Sequence, residues 1–203
     1  MANRGRYGKY GEIKRLAHLR KGRSGPSYTT GRGIETVRRS AHYKRKSFSR
    51  DQVKITPAGV TDEGYIRSLS KRAFNRYGPY DDTLVRWFGS GGAVTIMAST
   101  DKRPLGFAML GRSAHGHPSS CVYEILAIAV EPEMHGLGIG SFLLDDLEKK
   151  AKGRQAEKLI LHTAVINPHG RKFFKKHGFI TAETNRNFYP EGQDALMMYK
   201  EVL

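Results

Sequence analysis

The chain has 203 residues and 38% hydrophobic side chains, which is enough for one ordinary domain and too little for two large ones. Its net charge of +16 is concentrated in residues 1–50, which hold 15 basic and 2 acidic residues, whereas residues 51–203 carry only +3. The single cysteine, Cys121, excludes an intrachain disulfide and a cysteine-rich metal site. The longest apolar run, residues 125–130, is too short to cross a membrane, so we expect a cytoplasmic protein with no membrane partner.

Residues 1–50 are predicted to form a basic, disordered tail, because they contain too few apolar side chains to offset the entropy of ordering them. A short apolar patch around Ile13, Leu16, Ala17 and Leu19 favours one or two helical turns. The basic residues and the tyrosines among them suit nucleic acid, since cations release counterions and aromatic rings stack on bases. A nucleic-acid or virion partner, a solvated tail without a partner and a targeting segment all remain open.

Residues 51–203 alternate between strand and helix patterns and predict one α/β domain. The first helix follows Thr61, carries acids in its first turn and has an apolar stripe of Ile66, Leu69 and Phe74. The apolar segment 122–130 is predicted to be a central strand. The strands are predicted at 53–55, 93–98, 105–110, 122–130, 158–163, 179–185 and 195–202, and the later helices at 81–88, from the glycine turn to 152, and at 168–177.

The strongest chemical signal is a glycine-rich turn between the central strand and the helix that follows it. Glycines at 136, 138 and 140 let backbone amides approach a ligand without interference from a Cβ atom. The N-terminus of the helix adds a favourable dipole for an anion. The turn therefore predicts a phosphate or pyrophosphate site, although a tight turn without a ligand has the same spacing.

Three motifs lie in register after this central strand. The first is His135-Gly136-Leu137-Gly138-Ile139-Gly140, the second is residues 167–179, from Asn-Pro to Gly-Phe, and the third is the Asn-Phe-Tyr-Pro segment within residues 187–198. The first two resemble the pyrophosphate loop and the Asn-led helix of the GNAT superfamily of acetyl-CoA-dependent N-acyltransferases. The third is similar to the closing hairpin of the branch of that superfamily that acetylates protein N-termini. The resemblance covers residues 52–203, and His135 stands where the family usually has Gln or Arg.

The resemblance implies a GNAT fold, in which about four helices flank a mixed sheet of about six to seven strands that splays between 122–130 and 158–163. It implies acetyl-CoA as the acyl donor and no metal. The pantetheine would pair with the backbone near Ala129 and Val130, and the pyrophosphate would bind the loop 135–140. Asn167 and Phe174 would contact the cofactor from the next helix.

Two residues of this region, His135 and Glu124, bear directly on cofactor binding and on catalysis. An imidazole can still donate to phosphate, so we expect weaker or pH-sensitive cofactor affinity from His135. Acetyl transfer to an amine requires a base, and the apolar neighbours of Glu124 favour a carboxyl pKa near neutrality. From the residues alone, a solvent-exposed glutamate at the start of the strand fits equally. The resemblance places Glu124 where the histone-acetyltransferase branch has its general base. His162 is predicted to be a buried histidine without a catalytic role.

The sequence does not single out one proton donor for the leaving thiolate. Phe174 stands where many family members have a tyrosine, and the histone-acetyltransferase branch also has Phe at that position. Tyr189, Tyr123 and water remain as donors, and Tyr189 is preferred because it lies in the hairpin on the acceptor side.

The acceptor wall is assigned by resemblance to the first two helices and the last hairpin, which place Tyr77, Tyr80, Asp81 and Phe188 around the pocket. Aromatic rings and a carboxylate suit a cationic amine, although the same residues also serve as core aromatics and a helix cap. We predict direct attack by a primary amine, either a protein N-terminus or a lysine. The alternatives are a small-molecule amine acetyltransferase, and a nucleic-acid-binding or assembly protein with a catalytically degenerate GNAT scaffold.

Overall fold

The computed structural model describes residues 48–113 and 121–202, together with the backbone of residues 16–17. The predictions of a disordered tail and of nucleic-acid binding through residues 1–50 fall almost entirely outside these residues. The described part of the chain forms one sheet with helices on both faces. Its strands are β1 Leu16–Ala17, β2 Lys54–Pro57, β3 Ala93–Ser99, β4 Pro104–Arg112, β5 Val122–Val130, β6 Lys158–Ala164, β7 Ile180–Asn185 and β8 Ala195–Glu201, and its α-helices are α1 Glu63–Phe74, α2 Tyr80–Gly89, α3 Ile139–Lys152 and α4 Pro168–Lys176.

The sheet is mixed, with strand order β2-β3-β4-β5-β6-β8-β7. Along this order the neighbouring strands are antiparallel except β5 and β6, which are parallel and therefore need the α3 crossover between them. The predicted mixed α/β fold and the order of elements from β2 onward are confirmed. The first predicted strand is displaced, since β2 begins at Lys54 and includes Pro57. Proline is tolerated there because β2 is the edge strand.

The helical turns predicted around Leu16 and Ala17 are wrong. These two residues form β1, which pairs in parallel with β5, with Leu16 opposite Ala127 and Ala17 opposite Ile128. A short apolar patch provides too few residues for helix nucleation, whereas pairing with an existing strand supplies the partner for its backbone.

The strands β5 and β6 separate part way along their length, as predicted. They pair only from Val122 opposite Lys158 to Ile125 opposite Leu161. The ladder between β4 and β5 has a bulge at the same level, because neighbouring residues Met109 and Leu110 pair with Ala127 and Ile125. A bulge increases local twist and bends the strand, which accounts for the divergence of β5 from β6 at this point.

Two hydrophobic cores lie on opposite faces of the sheet. On one face α3 and α4 contribute Leu143, Leu147 and Phe174. On the other face α1 and α2 bury the predicted stripe of Ile66, Leu69 and Phe74, together with aromatic residues from the β7–β8 connection. Among the described residues, no helix has the length and apolar character needed to cross a membrane.

The chain enters this domain along α3, beside the glycine-rich turn. The backbone amide of Phe48 donates to the carbonyl oxygen of Leu137 over 3.1 Å. The Arg50 guanidinium donates to the carbonyl of Phe142 over 3.2 Å, and it lies 5.1 Å from the centre of the Phe142 ring. Residues 48–50 are therefore held against the turn and the first turns of α3.

Candidate active site

The open edge of β5 lies where β6 has diverged. Ala129 and Val130 pair with Phe107 and Gly106 of β4 on one side, and they lie beyond the last β5 residue that pairs with β6. Their side chains are buried. The two residues predicted to bind pantetheine through their backbone therefore lie in the splay between the strands, where an extended ligand can be added as a strand.

The glycine-rich turn joins the end of β5 to α3. Gly136 has φ of 80° and Gly138 has φ of 93°, a left-handed conformation that side chains other than glycine adopt at a cost. A Cβ atom added to Gly136 would meet no atom within 4 Å, so the backbone there borders open space. The amides of Ser141 and Phe142 donate to the carbonyl of Gly138, whereas the amides at the very start of α3 precede the first helical acceptor. The turn is therefore suitable for an anionic group. The predicted loop of residues 135–140, including Leu137, Ile139 and Gly140, adopts this geometry.

His135 holds the turn against the end of the strand. Its Nε2 lies 2.8 Å from the carbonyl oxygen of Val130, and the side chain is buried. Because a carbonyl oxygen only accepts, Nε2 carries the proton in this bond. A hydrogen bond from Nε2 to a phosphate, as expected from the sequence, would require this bond to Val130 to be given up.

Glu124 and His162 form a buried pair between the two central strands. The Nδ1 atom of His162 lies 2.9 Å from Oε1 of Glu124, and the residues are 3% and 0% exposed. The register of the parallel strands explains the contact, since Glu124 lies opposite Ile160 and His162 is two residues further on the same face. The His162 ring stacks on Phe188, with centroids 4.3 Å apart and an interplanar angle of 14°.

The sequence did not indicate a functional role for His162. A signal was present, because Glu124 and His162 are polar residues inside strongly apolar strands. Without the strand register, however, no sequence spacing shows that they touch.

The predicted acceptor residues gather on the same face of the sheet. The Tyr189 ring lies 5.2 Å from the Tyr77 ring, 6.3 Å from the Tyr80 ring and 5.1 Å from the Phe188 ring, between centroids. Asp81 follows Tyr80 in the first turn of α2 and is partly exposed. The structure therefore connects Glu124 and His162 to an aromatic cluster through Phe188.

Tyr189 is 1% exposed and keeps its proton over a wide pH range. Burial raises the pKa of its hydroxyl well above the ordinary value, and the neighbouring phenols of Tyr80 and Tyr77 raise it further. Burial also raises the pKa of Tyr77. These phenols are therefore hydrogen-bond donors at neutral pH, and a raised pKa makes Tyr189 a weaker acid than an exposed tyrosine.

Asn167 and Phe174 occupy different environments. Asn167 caps α4, because its Oδ1 accepts from the amide of Gly170 over 3.0 Å, and its Nδ2 donates to Thr163 Oγ1 over 3.3 Å. Phe174 is fully buried and packs against Phe173 and Phe179. The roles predicted for them at the cofactor stay predictions.

A cavity of about 350 Å³ opens between the C-terminal half of α1 and the start of the glycine-rich turn. Its walls include Arg72, Arg76, Val130 and His135. Arg72 also forms an ion pair of 2.7 Å with Glu131. Nothing in the sequence marked these arginines, because basic residues at the end of a helix are usually explained by the helix dipole. No group of three or more His, Cys, Asp or Glu side chains in the described ranges is placed to hold a metal ion.

A strand edge that β6 leaves uncovered, a glycine-rich turn suited to an anionic group and a buried acid beside a histidine fit an acyl-transfer site. Residues 64–179 match the model of the acetyltransferase (GNAT) family, which is more than half of the chain. The chain therefore belongs to the GNAT family of N-acetyltransferases.

Individual proteins that the chain resembles are also named as acetyltransferases. The chain is 35% identical to an N-alpha-acetyltransferase of Sulfurisphaera tokodaii over 154 residues. This alignment covers 72% of this chain and 92% of the relative. The solved acetyltransferase from Salmonella typhimurium with its cofactor acetyl-CoA superposes with a TM-score of 0.65 at 16% identity, covering 75% of this chain and 95% of that one. The ribosomal-protein-S18-alanine N-acetyltransferase from Escherichia coli superposes with a TM-score of 0.61 at 22% identity, covering 74% and 94%. These two structures confirm the fold.

Proposed function

We propose that the chain transfers the acetyl group of acetyl-CoA to a primary amine, and that this amine is a protein N-terminus or a lysine. The observation that carries the chemistry is the buried Glu124–His162 pair beside the splay of the sheet. The protein acceptor is supported by the name of the Sulfurisphaera relative, an N-alpha-acetyltransferase, and by the hairpin motif of residues 187–198.

The residues around the splay fit acetyl-CoA, which supplies an activated acetyl thioester when it is bound. The open edge of β5 at Ala129 and Val130 offers backbone donors and acceptors to an extended chain that carries amides. The amides of the glycine-rich turn and the start of α3 would hold the pyrophosphate, with open space beside Gly136. Asn167, the N-cap of α4, would border the thioester end, and Phe174 in the last turn of α4 would contact the cofactor.

Glu124 would accept the proton that the amine loses during attack. An amine attacks only in its neutral form, so a base must take up a proton at or before the transfer step. His162 would orient the Glu124 carboxyl, because its Nδ1 lies within hydrogen-bonding distance of Oε1 and its ring is fixed by the stack on Phe188. His162 would thus act through Glu124 as a positioning residue.

The aromatic cluster would form the acceptor wall. Tyr77, Tyr80 and Phe188 would contact the acceptor, with Asp81 at the start of α2 providing a carboxylate toward a cationic amine. Tyr189 would donate a hydrogen bond on this wall, and it stays the predicted proton donor for the leaving thiolate.

The test is acetyl transfer by the full chain and by Glu124→Gln, measured as thioester consumption. The acceptor panel contains peptides with a free N-terminus, N-terminally blocked peptides with one lysine, and a small polyamine. We expect transfer to at least one peptide class, and a loss of at least about 100-fold in kcat for Glu124→Gln with CoA affinity retained. The matched control is Glu133→Gln, whose carboxylate is half-exposed and forms an ion pair of 3.2 Å with Arg103.

Each contrary result removes a defined part of the proposal. Equal turnover by Glu124→Gln and the parent would exclude Glu124 as the base. Exclusive transfer to the polyamine would replace the protein acceptor with a small amine. Binding of CoA without turnover of any acceptor would favour the degenerate scaffold.

A further inference from the structure

We propose that the basic N-terminal segment inhibits its own active site, by adding β1 to the strand edge that acetyl-CoA requires. This inference rests on the proposed function, because it assigns a regulation to the same cofactor cleft. The segment would act as a competitive, intramolecular blocker, and its release would open the cleft to the cofactor.

The first observation is the position of β1 in the fold. It pairs with β5 at Ala127 and Ile128, just past Ile125, the last β5 residue that pairs with β6. Its Cα atoms lie within 8 Å of residues in both β5 and β6. β1 therefore lies inside the splay and takes the strand position that β6 leaves vacant there.

The second step is that this position admits one occupant at a time. The other edge of β5 is already paired with β4, with Ala127 opposite Met109 and Ile128 opposite Ala108. Neighbouring strands lie about 4.8 Å apart, so a second extended chain cannot share the same edge. The predicted pantetheine contacts at Ala129 and Val130 follow directly after the residues that β1 occupies. A pantetheine that continues along this edge toward Glu124 would pass Ile128 and Ala127, so it would overlap β1.

The third observation is the attachment of the same segment beside the cleft. The backbone amide of Phe48 donates to the carbonyl oxygen of Leu137 in the glycine-rich turn, and the Arg50 guanidinium donates to the carbonyl oxygen of Phe142 in the first turns of α3. Residues 18–47 connect this anchor to β1 along the chain, so β1 reaches the cleft as part of the same molecule and its pairing does not depend on protein concentration.

The consequence is a measurable reduction in cofactor affinity. When only a fraction of molecules has an open cleft, the apparent dissociation constant equals the intrinsic value divided by that fraction. A change that removes β1 pairing should therefore strengthen CoA binding without altering any residue of the cleft.

The experiment compares three forms of the full chain. Leu16→Pro combined with Ala17→Pro removes both backbone N–H groups of β1. Thr29→Pro combined with Thr30→Pro places the same two substitutions elsewhere in the basic segment. Calorimetric titration with CoA should give a dissociation constant about fivefold lower for the first double variant and an unchanged value for the second.

Hydrogen exchange without CoA provides a readout that does not depend on the cofactor. Amides of residues 126–130 should exchange faster in the Leu16→Pro, Ala17→Pro variant than in the parent and in the threonine control. Equal CoA affinity in all three forms would overturn the inference and leave the proposed function intact. Absence of CoA binding in every form would overturn the proposed function and the competition with it, and unchanged exchange would show that the pairing itself does not form.

Discussion

At the scale of single residues, the chemistry depends on a contact between two buried polar side chains. Glu124 brings the carboxyl group, and His162 fixes one of its oxygens over 2.9 Å. His162 is itself fixed by its stack on Phe188. Because each group is held by the next, a small displacement of the imidazole changes the direction of the carboxyl lone pairs that receive a proton.

Substitution of His162 tests this positioning role. His162→Phe removes the donor to Glu124 while keeping a ring against Phe188, and we expect kcat to fall by about 10- to 100-fold with the KM for acetyl-CoA unchanged. His162→Asn should recover part of kcat, because its amide N–H can replace Nδ1–H. Steady-state kinetics on both variants provide the measurement. Equal activity of the Phe and Asn variants would contradict a role that acts through the hydrogen bond.

Tyr189 makes the stability of the fold sensitive to alkaline pH. Its pKa is raised by burial, whereas an unfolded tyrosine ionises near pH 10. Below pH 10 both states keep the proton, so the contribution to stability is constant. Above pH 10 the unfolded chain binds fewer protons than the folded one, and the free energy of unfolding falls by at most about 1.4 kcal/mol per pH unit for this residue.

The measurement is urea unfolding of the parent and Tyr189→Phe at pH 8, 10 and 11. The parent should lose stability more steeply than the variant between pH 10 and 11, because Phe has no proton to lose. The same slope in both proteins would show that Tyr189 does not retain its proton in the folded state.

At the scale of elements, the beginning of α4 combines two possible roles in one side chain. Asn167 caps the helix through Gly170 and is also the residue that the family resemblance places at the cofactor. Pro168 follows at the first helical position, where its missing N–H has no cost. A single Asn167→Ala substitution would confuse the two roles.

Two substitutions at Asn167 separate them. Asn167→Ala should lower the free energy of unfolding by about 1 kcal/mol, because the cap is lost. Asn167→Asp keeps an oxygen for the Gly170 amide, so it should retain most of the stability. Urea unfolding and CoA titration on both variants provide the measurements. A drop in CoA affinity for Asn167→Asp at retained stability would place the amide group at the cofactor, whereas unchanged affinity would restrict Asn167 to capping.

At the scale of the whole molecule, a contact between two loops joins the two halves of the sheet that separate at the splay. The loop between α1 and α2 belongs to the first half, and the connection between β7 and β8 belongs to the second. Gln193 donates to the carbonyl of Arg76 over 2.8 Å. Gly78, at φ of 132°, approaches Pro190 so closely that an added Cβ would lie 2.7 Å from its Cγ. This contact joins the two loops that carry Tyr77 and Tyr189 of the acceptor face.

Gly78→Ala should therefore destabilise the whole domain by about 1–3 kcal/mol, through a clash with Pro190 and an unfavourable backbone angle. Gly64→Ala is the matched control, because Gly64 lies exposed in α1 and an added Cβ meets nothing within 4 Å. That change should raise stability by about 0.5–1 kcal/mol, since Ala favours the helix. Thermal or urea unfolding measures both, and equal stability of the parent and Gly78→Ala would contradict the steric role of this glycine.

Most of the framework of this domain was predictable from local patterns. Continuous apolar runs marked β5 and β6, the stripe of Ile66, Leu69 and Phe74 marked α1, and the glycine spacing marked the turn before α3. The error at Leu16 and Ala17 has a clear cause, because a short segment takes its conformation from the strand with which it pairs. His162 was missed for a related reason, since its role depends on a residue 38 positions away.

The sequence by itself determined the class of fold, the glycine-rich turn, the acid on the central strand and the separation of charge between tail and body. These features depend on local periodicity, side-chain chemistry and composition, all of which act between near neighbours. The tertiary structure alone decided that Glu124 meets His162, that the acceptor aromatics share one face, and that β1 lies in the splay. Each of these depends on the register between strands distant in sequence, which packing of the whole sheet selects.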